Sequence, residues 1–112
     1  MEIKRINDEY SVAGQITVED LKTIADQGFK SIVCHRPDAE VDDQPAFADI
    51  AATAKSMGME TRHIPVGREG VGYEQVRAFV DALDEMQRPM LGYCRSGARS
   101  TAIYQQTLHI RA

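Results

Sequence analysis

The sequence predicts an α/β fold of three layers, in which a mainly parallel central sheet is covered by helices on both faces. Short β-rich apolar segments alternate with segments of helical periodicity along the chain of 112 residues. Glycines and prolines stand where one kind of segment gives way to the other. Because adjacent parallel strands need a crossover connection, which is usually a helix, this alternation favours parallel pairing.

The first half of the chain contains three predicted strands and one predicted helix. Thr17 has the character of an N-cap because acidic residues follow it in the first turn, and Gly28 suits the position just after the helix end. Pro37 stops the third strand. The predicted strands lie at residues 2–6, 10–13 and 29–34.

The second half continues the alternation after an acidic loop at 38–44. Pro45 suits the first position of a second helix, which Gly58 closes. A loop with three glycines, 67–72, precedes a third helix. The remaining predicted elements are strands at 59–66 and 89–93 and a last helix that starts at Ser100 and includes roughly 103–108.

Length and composition indicate a single globular domain over residues 1–112. Hydrophobic residues make up 43% of the chain and charged residues 27%. The formal charge of −4 argues against general nucleic-acid binding, and no apolar run approaches the roughly 18 residues of a membrane span. Two cysteines are too few for a disulfide framework, so we expect a reducing cytoplasm.

In parallel sheets, ligands bind beyond the carboxyl ends of the strands. Three predicted strand ends should therefore share one rim of the sheet, and each is followed by basic side chains. We expect positive charge to concentrate there and to select a small anion as substrate. The arginines concerned are Arg36, Arg68, Arg95 and Arg99.

The loop that follows the last strand favours a reactive thiolate at Cys94. Strand, glycine-containing turn and helix start would point backbone N–H groups and a positive helix end at this sulfur. Arg95 and Arg99 add positive charge, and Gly97 lets the backbone turn. The alternative is a buried structural cysteine before an ordinary basic helix start.

The loop Cys94-Arg95-Ser96-Gly97-Ala98-Arg99-Ser100 resembles the active-site loop of bacterial rhodaneses and, more loosely, the phosphate loop of cysteine-dependent phosphatases. With Gly14-Gln15-Ile16, Arg36-Pro37-Asp38 and His63-Ile64-Pro65-Val66, it makes almost the whole chain similar to one bacterial family. That family is the phosphatase-like domain of beta-lactamase-hydrolase-like proteins. Members occur alone or fused to metallo-hydrolase, persulfide-dioxygenase or oxidoreductase domains, and usually continue beyond the point matching Ala112.

The resemblance implies a cysteine-phosphatase-like fold and activity as a sulfurtransferase or a phosphatase. Related phosphatases have five residues between cysteine and arginine, whereas four separate Cys94 from Arg99, as in rhodaneses. A smaller ring of N–H donors suits one added sulfur better than three phosphoryl oxygens. We therefore expect Cys94 to take a sulfane sulfur from thiosulfate or a small persulfide and pass it to a thiol acceptor.

Leaving-group chemistry favours the same prediction. Related phosphatases use an aspartate as general acid, and the candidates here are Asp38 and Glu69. Sulfur transfer needs no such acid because its leaving groups are stable anions, and Asp38 could equally cap a turn. Two alternatives stay open: phosphate-ester hydrolysis through a phosphocysteine, and a non-catalytic anion-binding module.

The predicted site contains Cys94 and Arg99 as catalytic residues and no metal or other cofactor. Ser100 and Thr101 could each hydrogen-bond the thiolate or cap the last helix, and capping is the favoured role for both. Cys34 is predicted to lie in the core, and His35 to contact substrate at the rim. The predicted substrate contacts are Arg95, Ser96, Gly97, Ala98, Ser100, Arg36 and Asp38.

Overall fold

The computed structural model describes residues 1–111, which form a five-stranded sheet with helices on both faces. The strand order is β1-β2-β5-β3-β4, and only the pairing of β1 with β2 is antiparallel. The prediction of a three-layer, mainly parallel α/β fold is confirmed. The strands are β1 (Ile3–Arg5), β2 (Tyr10–Ala13), β3 (Ser31–Cys34), β4 (Glu60–His63) and β5 (Met90–Tyr93).

Within residues 1–111, three helices connect successive strands, a fourth follows the last strand, and together they cover the sheet. A short 3-10 turn at Val18–Asp20 precedes the first, and Thr17 and Asp20 form a capping box there, as the acidic first turn predicts. Gly28 and Gly58 have φ of +95° and +86° at the ends of the first two helices, where a left-handed residue is required. The helices are α1 (Leu21–Asp26), α2 (Phe47–Ser56), α3 (Tyr73–Glu85) and α4 (Ala98–Arg111).

Two apolar clusters hold the layers together. On one face of the sheet, Ile32 and Leu91 pack with buried residues of α1 and α2. On the other face, Val33 and Met90 pack with residues of α3 and α4. Burying both faces explains why β3 and β5 are apolar without alternation.

The register of the parallel strands brings their carboxyl ends together. Tyr93 in β5 pairs with Ala13 in β2 and with Cys34 in β3, and Cys34 also pairs with His63 in β4. These four residues are the last of their strands. The segments that follow them therefore lie at one rim, as expected for the predicted site.

Two helix starts differ from the prediction. The chain after Pro45 stays extended, and Ala46 is the N-cap of α2. Helix α4 begins at Ala98 rather than Ser100, directly after Gly97 with φ of +92°. Within residues 1–111, none of the helices has the length and apolar character needed to span a bilayer.

Candidate active site

The Cys94 loop is held from outside by the residues after β2. The backbone N–H of Cys94 donates to Ala13 O at 3.3 Å, and that of Gln15 donates to Arg95 O at 3.2 Å. A Cβ on Gly14 would stand 3.0 Å from Arg95 O, so the close approach favours glycine. The segment 13–15 thus forms the outer support of the loop.

On its inner side, the loop points hydrogen-bond donors at a buried sulfur. Cys94 has no exposed surface, and the N–H of Gly97 donates to its Sγ at 3.1 Å. Burial alone would raise the pKa of Cys94, but hydrogen bonds from Ser100, Ser96 and Gly97 outweigh it and lower that pKa. The arrangement therefore favours a thiolate at Cys94.

Ser100 lies inside the first turn of α4 and contributes twice to this environment. Both its backbone N–H and its hydroxyl lower the pKa of Cys94. The hydroxyl is buried and has no hydrogen-bond partner within residues 1–111, which leaves it available to a thiolate at Cys94. Thr101 instead donates its hydroxyl to Gly97 O at 2.9 Å, which ties the helix start to the loop. Of the two roles considered for Ser100, the geometry favours contact with the thiolate.

Arg99 is held by two partners across the rim. Its Nη1 donates to Glu40 Oε2 and to Val66 O, both at 2.7 Å, and its Nη2 donates to Glu40 Oε1 at 2.9 Å. Glu40 raises the pKa of Arg99, and the thiolate of Cys94 adds to the effect, so the guanidinium lies close to the sulfur.

Two N–H groups of Arg99 are not used by Glu40 or Val66. A guanidinium has five N–H groups, and the contacts to Glu40 and Val66 use both on Nη1 and one on Nη2. The N–H of Nε and the second N–H of Nη2 are left. These two point to the same side of the guanidinium and form a fork that matches two oxygens of one anion.

Glu40, which sequence reasoning did not single out, joins two of the predicted arginines. Its Oε1 also accepts a hydrogen bond from Nε of Arg36 at 2.8 Å, and its side chain is only 13% exposed. Arg99 and then Arg36 hold the pKa of Glu40 at about 2, so this carboxylate stays ionised. The available signal was its place in the acidic loop after β3, four residues beyond Arg36.

Arg36 lies among protein groups and away from the open surface of the rim. Only 4% of the residue is exposed, and its Nη1 donates to Gln15 Oε1 at 3.0 Å while its Nε is bound to Glu40. Glu40 carries one negative charge against the two positive charges of Arg36 and Arg99, so it offsets only part of the positive charge expected at the rim. Arg95 and Arg68 are exposed at the rim.

The remaining predicted site residues are Ser96 and Ala98 on the Cys94 loop and the two candidate proton donors, Asp38 and Glu69. Ser96 and Ala98 are exposed on the loop, and the Ala98 N–H points at Ser96 Oγ at 3.4 Å. Asp38 Oδ1 accepts a hydrogen bond from the N–H of Phe47 at 2.9 Å, which satisfies the start of α2. The Glu69 carboxylate folds back over Gly67, where an added Cβ would meet it at 2.5 Å.

His35 does not contact the open rim, so the expectation that it binds substrate is wrong. The ring is fully buried, its Nδ1–H donates to Ile64 O at 3.0 Å, and it packs edge-on against Phe79. Burial lowers the pKa of His35 to about 4, which keeps the imidazole neutral. The polar run after β3 gave no signal that the chain turns His35 inward.

Cys34 lies in the core, as predicted. Its thiol donates to Arg36 O at 3.3 Å, and burial raises the pKa of Cys34 to about 11. The two cysteines therefore have opposite environments, although both are buried. Within the described residues, histidines, cysteines and carboxylates form no group of three that could hold a metal ion.

Sheet order, the cysteine loop at the end of β5 and the arginine beside it together define a protein of the cysteine-phosphatase fold. Residues 2–108 match the family described as "Beta-lactamase hydrolase-like protein, phosphatase-like domain". The chain belongs to this family, as its motifs indicate.

Curated relatives and solved structures agree with this assignment. A beta-lactamase hydrolase-like protein of Agrobacterium fabrum is 34% identical over 93% of this chain, which spans 24% of that protein. A protein of Neisseria meningitidis, provisionally described as a phosphatase, has a TM-score of 0.85 at 31% identity; the match covers 93% of this chain and 74% of that one. A Shewanella putrefaciens protein, also provisionally described as a phosphatase, shares the fold at 20% identity with a TM-score of 0.82, over 94% and 66% of the two chains.

Proposed function

We propose that the protein hydrolyses a small phosphorylated substrate through a phosphocysteine on Cys94. The observation that carries this proposal is the free fork of Arg99 beside the Cys94 sulfur. Two parallel N–H donors suit two oxygens of a tetrahedral phosphoryl group, whose charge they stabilise during transfer. The family relationship and the solved structures that resemble this chain support the same class of activity.

The reaction takes place in two steps. The Cys94 thiolate attacks phosphorus, the sulfur–phosphorus bond forms, and the oxygen of the leaving group departs with the electron pair of the broken bond. Water then attacks phosphorus, releases phosphate and returns the thiolate. We assign the proton donor for the leaving oxygen to Glu69 rather than Asp38, because the Asp38 carboxylate is engaged by the start of α2.

The surrounding loop contributes binding as well as charge. We propose that the backbone of Arg95, Ser96, Gly97 and Ala98 lies around the bound anion, with Ser100 stabilising Cys94 as a leaving thiolate in the second step. The exposed Arg95 side chain would contact the remainder of the substrate. Arg36 acts through Glu40 in this scheme. Because the mechanism needs a reduced Cys94, a reducing compartment such as the cytoplasm suits it.

Sulfur transfer is the second candidate, and the four-residue spacing from Cys94 to Arg99 favours it. The thiolate would attack the sulfane sulfur of thiosulfate, break the sulfur–sulfur bond and release sulfite with that electron pair. The Arg99 fork would bind two sulfonate oxygens. A thiol acceptor would then take the sulfur from the Cys94 persulfide. A non-catalytic anion-binding module would show neither reaction.

One experiment separates these functions. The protein is incubated with p-nitrophenyl phosphate and, separately, with thiosulfate or glutathione persulfide, beside the Cys94→Ser variant. Phosphatase chemistry gives Cys94-dependent release of p-nitrophenol. Sulfur transfer gives an added mass of roughly 32 Da on Cys94, removable by cyanide or dithiothreitol. A persulfide without phosphate turnover would overturn the leading proposal. If neither product formed, the non-catalytic anion-binding module would be the remaining function.

A further inference from the structure

We propose that Glu40 is a positioning residue, which aims the free N–H fork of Arg99 at the anion bound over Cys94. The inference rests on the proposed function only in taking Arg99 as the residue that binds the reacting anion. Glu40 lies on the loop between β3 and α2, outside the Cys94 loop. It would act on the substrate through Arg99 alone.

The contacts show how Glu40 controls the direction of the guanidinium. Both of its carboxylate oxygens bind Arg99, one to each terminal nitrogen, so they define the plane and the rotation of the guanidinium. Without them, Arg99 keeps the 2.7 Å hydrogen bond from Nη1 to Val66 O and its interaction with the Cys94 sulfur. Neither of these fixes the plane of the guanidinium as a carboxylate bound to both terminal nitrogens does. The fork would then no longer be fixed beside the sulfur.

The loop that carries Glu40 is built to present it. Ala39, directly before it, has a φ of 60°, a left-handed conformation that costs free energy for a residue other than glycine. Gln44 accepts a hydrogen bond from the N–H of Glu40 at 3.1 Å and donates its amide to Pro37 O at 2.9 Å. The backbone conformation of Ala39 and the two hydrogen bonds of Gln44 both direct the Glu40 side chain into the rim.

Arg36 completes the arrangement from the other side. It is nearly buried, and its Nε binds the same Oε1 that receives Nη2 of Arg99. A carboxylate bound by two guanidiniums is held by three charge-assisted hydrogen bonds. The ion pair with Arg36 therefore holds the Glu40 carboxylate in the position from which it binds Arg99.

The test compares Glu40→Gln, Glu40→Asp and the double variant Glu40→Ala/Arg36→Met with the wild type. The double variant removes the buried charge that Glu40→Ala alone would leave unpaired. Three properties are measured: kcat and KM for p-nitrophenyl phosphate, tungstate affinity by calorimetry, and the pH dependence of Cys94 alkylation. Glu85→Gln, which removes the surface ion pair with Arg62, is the matched control.

We expect the Glu40 variants to lose roughly tenfold to a hundredfold in kcat, because a misaimed group costs about that much. In Glu40→Asp and in the double variant, which leave the net charge of the site unchanged, tungstate affinity should fall in parallel, and the alkylation curve of Cys94 should move to higher pH. Glu40→Asp keeps the charge but shortens the side chain, so it should fold like the wild type and show an intermediate loss. Glu85→Gln should change none of the three.

Wild-type tungstate affinity and an unmoved Cys94 alkylation curve in folded Glu40→Asp and in the double variant would overturn the positioning role. A different result would refute the proposed hydrolase function. A wild type that turns over no phosphate would refute the hydrolase proposal, while tungstate binding and Cys94 reactivity would still report on Glu40.

Discussion

Tyr10 and Gly92 face each other across neighbouring strands so closely that a Cβ on Gly92 would stand 2.1 Å from the Tyr10 hydroxyl oxygen. That hydroxyl donates to Ser100 O at 3.0 Å, and the ring stacks on Tyr104. The missing side chain at position 92 is therefore what allows the strand-to-helix contact beneath the Cys94 loop.

Gly92→Ala should displace the Tyr10 ring and destabilise the protein by about 1–3 kcal/mol, as overpacking of cores does. Urea unfolding monitored by circular dichroism measures the loss. Tyr10→Phe/Gly92→Ala should recover only part of it, because ring carbons remain 2.7–2.9 Å from the added Cβ. An unchanged unfolding midpoint in Gly92→Ala would contradict this account.

The two cysteines should react at different pH. Iodoacetamide should alkylate Cys94 well below pH 8.5, because loop and helix donors lower its pKa, whereas burial places that of Cys34 at about 11. Peptide mass spectrometry of the folded protein across pH 5–9 follows both sites. Equal rates at the two cysteines would remove the case for an activated thiolate.

Arg99 and Arg68 should differ in their effect on anion binding. Arg99→Ala removes the fork and a nearby positive charge, so it should cost roughly a hundredfold in turnover and raise the pKa of Cys94. Arg68→Ala removes an exposed charge and should do far less. Tungstate affinity and the alkylation curve of Cys94 compare them. Similar losses in both variants would mean that the charge acts diffusely.

His35 should make stability depend on pH below neutrality. Its pKa is about 6.5 in unfolded chains and about 4 in the folded protein, so the unfolded state binds the proton more strongly. The stabilisation is complete above pH 6.5 and is lost as the pH falls toward 4, by on the order of 3 kcal/mol. Thermal melts of the wild type and His35→Gln should show a flatter curve for the variant.

Much of the fold could be predicted because glycine and proline mark its boundaries. Gly28 and Gly58 adopt the left-handed conformation expected at helix ends, and the strand at Tyr10–Ala13 has the predicted bounds. The last helix was harder, because buried Ser100 and Thr107 and exposed Leu108 blur its apolar stripe. Its observed length comes from packing against α3 and the sheet rather than from periodicity.

The site was predictable where chain order alone brings residues together. Cys94 follows β5 and Arg99 lies in the first turn of α4, and their proximity follows from five positions of separation. Glu40 reaches Arg99 across 59 positions, and only the parallel register of β3 with β5 makes that contact possible. His35 turned inward for a similar reason, since the core around Phe79 accepts its ring.

The support of the Cys94 loop by residues 13–15 has a consequence for how an anion would be bound. Ala13 O and the Gln15 N–H already bind the Cys94 N–H and the Arg95 carbonyl on the outer side of the loop. Little conformational entropy then remains to be lost when an anion arrives. The Cys94 N–H should thus exchange slowly without an added anion, and saturating tungstate should slow its exchange only slightly.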